Sequence, residues 1–106
     1  MANPETKLQR QILDYLALRR IMAWRNNSGW LKIGQRMIQM GPAGSPDIIG
    51  LLPDGRFLGI ECKMQREGLS EAQRKFCRRL KDNGALVFVA RSVGDVEREL
   101  KAVLEI

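Results

Sequence analysis

Three side chains able to do charge chemistry lie near the middle of the 106-residue sequence: Asp47, then Glu61 after thirteen intervening residues, then Lys63. Two carboxylates are hard oxygen ligands for Mg²⁺ with positions left open for water and a phosphate oxygen. An ammonium beside them can hold a nucleophile or a developing charge. The chain contains no histidine. That excludes a Ser-His-Asp triad, an imidazole general base and a His-Cys zinc finger, so any chemistry rests on carboxylates, lysine and metal. Cys62 and Cys77 have neither the number nor the spacing of a zinc site or a disulfide framework. They read as structural thiols of a reduced, cytoplasmic protein.

The length is that of one domain, taken as residues 1–106, and 44% apolar with 28% charged residues is the composition of a folding chain without a membrane segment. Asn3-Pro4 starts a helix, with Leu8, Ile12, Tyr15 and Leu16 at helical spacing, running from Pro4 to about Leu18. Met22 to Asn26, Trp30 to Ile33 and Arg36 to Met40 are short runs compatible with strands, the first two separated by the turn residues Asn27-Ser28-Gly29. The Gly- and Pro-rich loop 41–46 feeds a buried strand, Asp47 to Leu52. Pro53-Asp54-Gly55 then turns the chain into a returning strand, Arg56 to Lys63.

Ser70-Glu71-Ala72-Gln73 is a capping box opening a helix with Phe76 and Leu80 inward, and Asn83-Gly84 stops it. A continuous apolar strand, 85–90, precedes a last helix capped by Ser92. The order implies an α/β fold, α-β-β-β-α-β plus a C-terminal helix. The last strand lies parallel to Arg56–Lys63 in a mixed sheet flanked by helices.

A three-residue Pro-Asp-Gly loop, a type I turn closed by a left-handed glycine, sets the hairpin register. Leu52 then faces Arg56, Ile48 faces Ile60 and Asp47 faces Glu61. Opposed carboxylates repel, so something must compensate them. Strand alternation puts Lys63 on their face and turns Cys62 to the other side with Ile60 and Ile48. A two-residue loop would separate the acids onto opposite faces. The trio reads either as a surface ion-pair cluster, worth little in stability, or as a divalent-metal site. The apolar strands around it favour the second.

Net charge is +6. Tyr15 to Pro46 has no acidic residue but holds Arg19, Arg20, Arg25, Lys32 and Arg36. Lys63 to Lys81 holds seven basic residues against Glu67 and Glu71. Such uneven positive charge is the footprint expected for approach to phosphate backbones. Arg25, Lys32, Arg36, Arg66, Arg74 and Lys75 are the candidate nucleic-acid contacts. Trp24 and Trp30 offer stacking on either side of Arg25, Asn26 and Asn27, but tryptophans in a small domain read first as core.

Ser45-Pro46-Asp47 and Glu61-Cys62-Lys63 resemble the PD-(D/E)XK nuclease motif. With Gly44 to Gly50, Asp54 to Phe57, Ile60 to Lys63 and Leu69 to Arg74 in order, the chain from Glu5 to about Val89 resembles the VRR-NUC family, especially its small stand-alone members in phages and bacteria. The resemblance implies a restriction-endonuclease-like core. It also implies Asp47, Glu61 and the backbone carbonyl of Cys62 as ligands of Mg²⁺ or Mn²⁺, and Lys63 as positioning the attacking water in phosphodiester hydrolysis that leaves a 5′-phosphate. Glu5, with Gln9 one turn on, matches an early acidic position that helps bind the metal or its water shell; a glutamate favoured by the helix dipole fits equally. Gln73 matches a glutamine contacting water or phosphate, or serves only the capping box. Cys77 stands where related nucleases often carry a tyrosine.

The function implied is a metal-dependent, structure-selective DNA endonuclease acting on branched DNA, specifically four-way (Holliday) junctions, as a homodimer whose two-fold symmetry suits the junction. The alternatives are a flap, nicking or restriction-like nuclease, a non-catalytic DNA-binding module on the same fold, and a structural protein whose acids merely pair with Lys63.

Overall fold

Local signals in the chain are realised one by one. The computed structural model describes residues 3–26 and 29–104, so the Asn27-Ser28 part of the expected turn lies outside the described residues. Helix α1 spans Pro4–Leu18, with the Asn3 side chain accepting from Thr6 N–H at 2.8 Å and proline in its first turn. The strands β1 (Met22–Arg25), β4 (Ile48–Leu51), β5 (Phe57–Cys62) and β6 (Leu86–Ala90) form one sheet in the order β1-β4-β5-β6. The first two pairings are antiparallel and β5–β6 is parallel, as a crossover through α2 (Glu71–Asp82) requires. Helix α3 (Val93–Leu104) completes the chain, and β2 (Trp30–Ile33) with β3 (Arg36–Gln39) forms a separate ribbon.

The turn at Pro53-Asp54-Gly55 has the expected geometry. Gly55 N–H donates to Leu52 O at 2.9 Å, Leu52 N–H donates to Arg56 O at 2.8 Å, and Gly55 sits at φ +92°. The β4–β5 register follows, with Ile48 opposite Ile60 and Leu51 opposite Phe57. Asp47, Arg56 and Lys63, expected inside the strands, flank them instead.

That register is held by packing. Ile48 and Ile60 are fully buried on the face shared with Ile12 and Leu16 of α1 and with Val96 and Leu100 of α3. Burial of one such side chain stabilises the fold by about 1.5–3 kcal/mol. A one-residue slip would turn the whole set outward. The same period-two alternation sends Glu61 to the opposite face, under α2. There Gln73, Phe76, Cys77 and Leu80 form the helix stripe turned away from solvent.

The β2–β3 ribbon differs from expectation in where it goes. All eight of its residues are exposed, and its two-residue loop places Gly34 at φ +63°, the glycine position of a type II′ turn. Trp30 is 63% and Trp24 47% exposed, so neither is a core residue. Two-stranded ribbons have no buried side unless another layer covers one, and here the sheet closes by pairing β1 directly with β4. Among the described residues no helix is long and apolar enough to cross a membrane.

Candidate metal and nuclease site

Asp47 is placed by contacts from three directions. Its own backbone carbonyl accepts from Asn26 N–H at 2.8 Å, at the end of β1. The Asn26 amide donates to Ser45 Oγ at 2.8 Å and to Pro46 O at 2.9 Å, tying down the two preceding residues, both buried. Gly44, at φ +82°, lies so close to α2 that an added Cβ would sit 2.4 Å from Ala72 O. Gly59 similarly leaves room for the Pro46 ring, 2.9 Å from where its Cβ would be. The Asp47 carboxylate then accepts from Cys62 N–H through Oδ2 at 2.8 Å, so it reaches across the end of the hairpin to β5.

Asn26→Ala removes both amide donors and leaves Ser45 Oγ and Pro46 O without them. A loss of about 1–3 kcal/mol is expected, read as a lower midpoint in chemical denaturation with an unchanged m-value.

Glu61, beside Asp47, is 0% exposed, and both its carboxylate oxygens lack a hydrogen-bond partner. Burial pushes its pKa up to about 8, the nearby Asp47 charge adds to this, and Lys63 opposes it. Glu5, at the start of α1, is likewise raised by burial first and then by Asp47 and Glu67, with Lys63 opposing. Glu5, Asp47, Glu61 and Lys63 therefore share one electrostatic neighbourhood. The Cys62 thiol, turned into the core, is pushed up to about 12 by burial and by the same three acids, against Arg25, and is no nucleophile.

Among the described residues the ion pairs are Asp54–Arg56, Glu71–Lys75, Asp95–Arg98 and Glu97–Lys101. Lys63 closes none with Asp47 or Glu61. The reading of the trio as a surface ion-pair cluster thus fails: one acid is buried and the lysine does not neutralise it. An orphaned buried carboxylate whose ionisation is opposed by its surroundings is a site that a hard cation would relieve. Among the described residues no group of three or more His, Cys, Asp or Glu side chains is gathered closely enough to hold a metal ion. Asp47 and Glu61 are the two acids the hairpin end brings together for a cation, with Glu5 in the same electrostatic neighbourhood.

The remaining candidates fall into separate groups. Gln73 completes the capping box: its Oε1 accepts from Ser70 N–H at 2.8 Å and its own N–H donates to Ser70 Oγ at 3.1 Å. Arg25 donates through Nε to Gln9 Oε1 at 2.8 Å. Lys32 and Arg36 point to opposite faces of the ribbon, because Lys32 pairs with Met37 whereas Arg36 pairs with Ile33. Arg74 bonds Leu69 O at 2.9 Å, Lys75 pairs with Glu71, and Arg66 is exposed in the loop after Lys63. Arg78 and Arg79 join Arg74 and Lys75 around one shallow groove on α2.

Two contributors have no signal in the sequence. One is Asn26. The other is Arg91, whose guanidinium donates to Met64 O at 3.3 Å and Glu67 O at 2.8 Å and braces the turn that follows Lys63.

No curated protein matches this chain. A solved structure described as a VRR_NUC domain superposes with a TM-score of 0.71 at 22% identity, covering 97% of this chain and 99% of that one, and so shares the fold with its restriction-endonuclease-like core. The sequence model of the VRR-NUC domain matches residues 3–94, and with that match over most of its length the chain belongs to the VRR-NUC domain family, a family of nuclease domains.

Proposed function

We propose that the protein is a divalent-cation-dependent DNA endonuclease selective for branched DNA, acting at four-way junctions as a homodimer. The observation that carries the site is Glu61, a fully buried carboxylate with no partner for either oxygen, set beside Asp47. Asp47, Glu61 and the Cys62 carbonyl are the groups that would hold Mg²⁺ or Mn²⁺, and Glu5 would reach such a cation through water. When bound, such a cation supplies Lewis acidity at the phosphate and lowers the pKa of water.

The chain's own residues do the rest. Lys63, free of any ion pair with the two acids, positions the attacking water and meets the charge that develops on the phosphate oxygens. The P–O3′ bond breaks, leaving a 5′-phosphate and a 3′-hydroxyl. Gln73 keeps its amide N–H₂ available for water or phosphate while its carbonyl oxygen holds the cap. The basic groove on α2, with Arg66, takes the duplex backbone by charge and carries no sequence information. A homodimer presents two such sites, one for each strand cut at a two-fold junction.

The test is a cleavage panel of four-way junction, flap and linear duplex, with and without Mg²⁺. The expected result is junction cleavage only with the cation, reduced about 10²–10³-fold in Lys63→Ala, the loss typical of one charge-stabilising donor. Equal cutting of all three substrates would remove the branched-DNA reading. Binding without product under any divalent cation would favour a non-catalytic module.

A further inference from the structure

A cleft of about 440 Å³ opens beside the site, lined by Gln9, Arg25, Asn26, Trp30 and Leu31, with Asp47 at its wall. Its size is within the ~300–1,000 Å³ of small-ligand sites, ample for one nucleoside. Its lining is unusual in combining a half-exposed indole with a fixed guanidinium. Trp30 belongs to a ribbon that packs no layer, and 63% of it is exposed. Arg25 is oriented by the Nε bond to Gln9 at 2.8 Å, which among the described residues leaves its two terminal amino groups free for a ligand.

We propose that this cleft receives a single unstacked nucleotide next to the scissile phosphate, its base stacked on the Trp30 indole and its phosphate held by Arg25. The proposal rests on the nuclease reading above and deepens it by naming how unpaired or branch-point DNA is preferred. The occupant follows from chemistry on the page. The chain carries +6 net charge, and Arg25 gives the cleft a guanidinium that a purely apolar partner would leave unsatisfied. A flat aromatic face is satisfied best by another flat ring. Paired duplex offers only base edges in its grooves, so the ring must come from a base out of the stack. Branch points and bulges supply such bases at the least unstacking cost. Asp47 lines the same cleft, so a nucleotide bound there lies next to that carboxylate.

The proposal is tested in metal-free buffer, where hydrolysis cannot proceed, with the Trp24→Phe protein, in which Trp30 is the sole indole. Linear duplex, the same duplex with one unpaired nucleotide, and that DNA with an abasic residue at the unpaired position are titrated in turn. Trp30 emission is expected to be quenched by the unpaired nucleotide and recovered with the abasic residue. Trp30→Ala is expected to lower the preference for bulged over linear duplex by about 5- to 150-fold, the range for one base–aromatic stack. Trp30→Phe should restore most of it.

Equal quenching by the abasic DNA, or an unchanged preference in Trp30→Ala, overturns the assignment. So does a free protein whose sedimentation shifts to a smaller species in Trp30→Ala, since the indole then belongs to a contact between copies. Wild-type protein that binds no DNA overturns the nuclease reading along with it. Wild-type protein that binds and cuts without dependence on Trp30 overturns the cleft alone.

Discussion

Glu61→Gln raises the melting temperature of the metal-free protein by about 10 °C near pH 8.5 and lowers it by several degrees near pH 5, where the wild-type carboxyl is protonated and only the cost of the buried amide remains. The carboxyl is pushed from its ordinary 4.5 to about 8, by burial first and then by the Asp47 charge, with Lys63 opposing. Between those values the folded chain holds a proton that the unfolded chain has released. Stability from this group is therefore fully present below about pH 4.5 and is lost as pH rises through about 8. At about 1.4 kcal/mol per unit of separation, ionised Glu61 costs the fold on the order of 3–5 kcal/mol. A buried, unpartnered amide costs about 1–3 kcal/mol itself, so the net gain at high pH is about 2 kcal/mol, or roughly 10 °C for a domain of this size.

Circular dichroism melts across the pH range read this directly. A wild-type melting temperature that does not fall between pH 5 and 8.5 would show that Glu61 ionises freely. Addition of Mg²⁺ or Mn²⁺ near pH 8.5 should return the wild type toward its low-pH stability, because on the proposed reading a cation would bind only the folded, ionised site. The same addition should do little for Glu61→Gln.

Asp47→Asn should abolish cleavage while sparing the fold and the DNA affinity. The amide keeps an oxygen where Oδ2 now accepts from Cys62 N–H at 2.8 Å, so the link from the loop to β5 survives. What goes is a negative charge. A change one step removed from a metal, in the groups that orient its ligands, typically costs 10–100-fold, so loss of a ligand charge should cost at least about 10²–10³-fold in kcat. DNA affinity should hold or rise, since a repulsive charge has left the phosphate's path. Removing that charge also lets Glu61 ionise more easily in the folded chain, so Asp47→Asn should shrink the pH-dependent loss of stability and complete it at lower pH. Asp47→Ala lacks the acceptor, and part of its effect would be structural. Comparing the two variants by single-turnover cleavage and by melting separates the roles.

Much of this was readable from local rules. Asn3-Pro4, Ser70 to Gln73 and Asn83-Gly84 are helix signals whose physics involves neighbours within one turn, and they act where they stand. Pro53-Asp54-Gly55 determines its own turn, and through the constant sum of paired residue numbers it brings Asp47 to the end of the hairpin where Glu61 emerges. Alternation then separates Glu61 from the apolar Ile60 and Cys62. The absence of histidine remains consistent with a site built on carboxylates and lysine alone.

Pairings between segments distant in the chain were not readable. Asn26 meets Ser45 and Pro46 only because β1 lies antiparallel to β4, and Arg91 reaches the turn after Lys63 only through the parallel β5–β6 pair. Composition made Trp30 a core residue. Its ribbon lies outside the four-stranded sheet, and Trp30 stays exposed and lines the same cleft as Asp47. The sequence by itself thus determined the elements, the hairpin register and the identity of the acid-acid-lysine cluster, because each follows from sterics and periodicity over a few residues. The tertiary structure decided that Glu61 is sealed without partners, that Lys63 does not neutralise it and that Trp30 shares a cleft with Asp47. Burial and electrostatic neighbourhood depend on which distant surfaces close over a residue, and no local pattern encodes that.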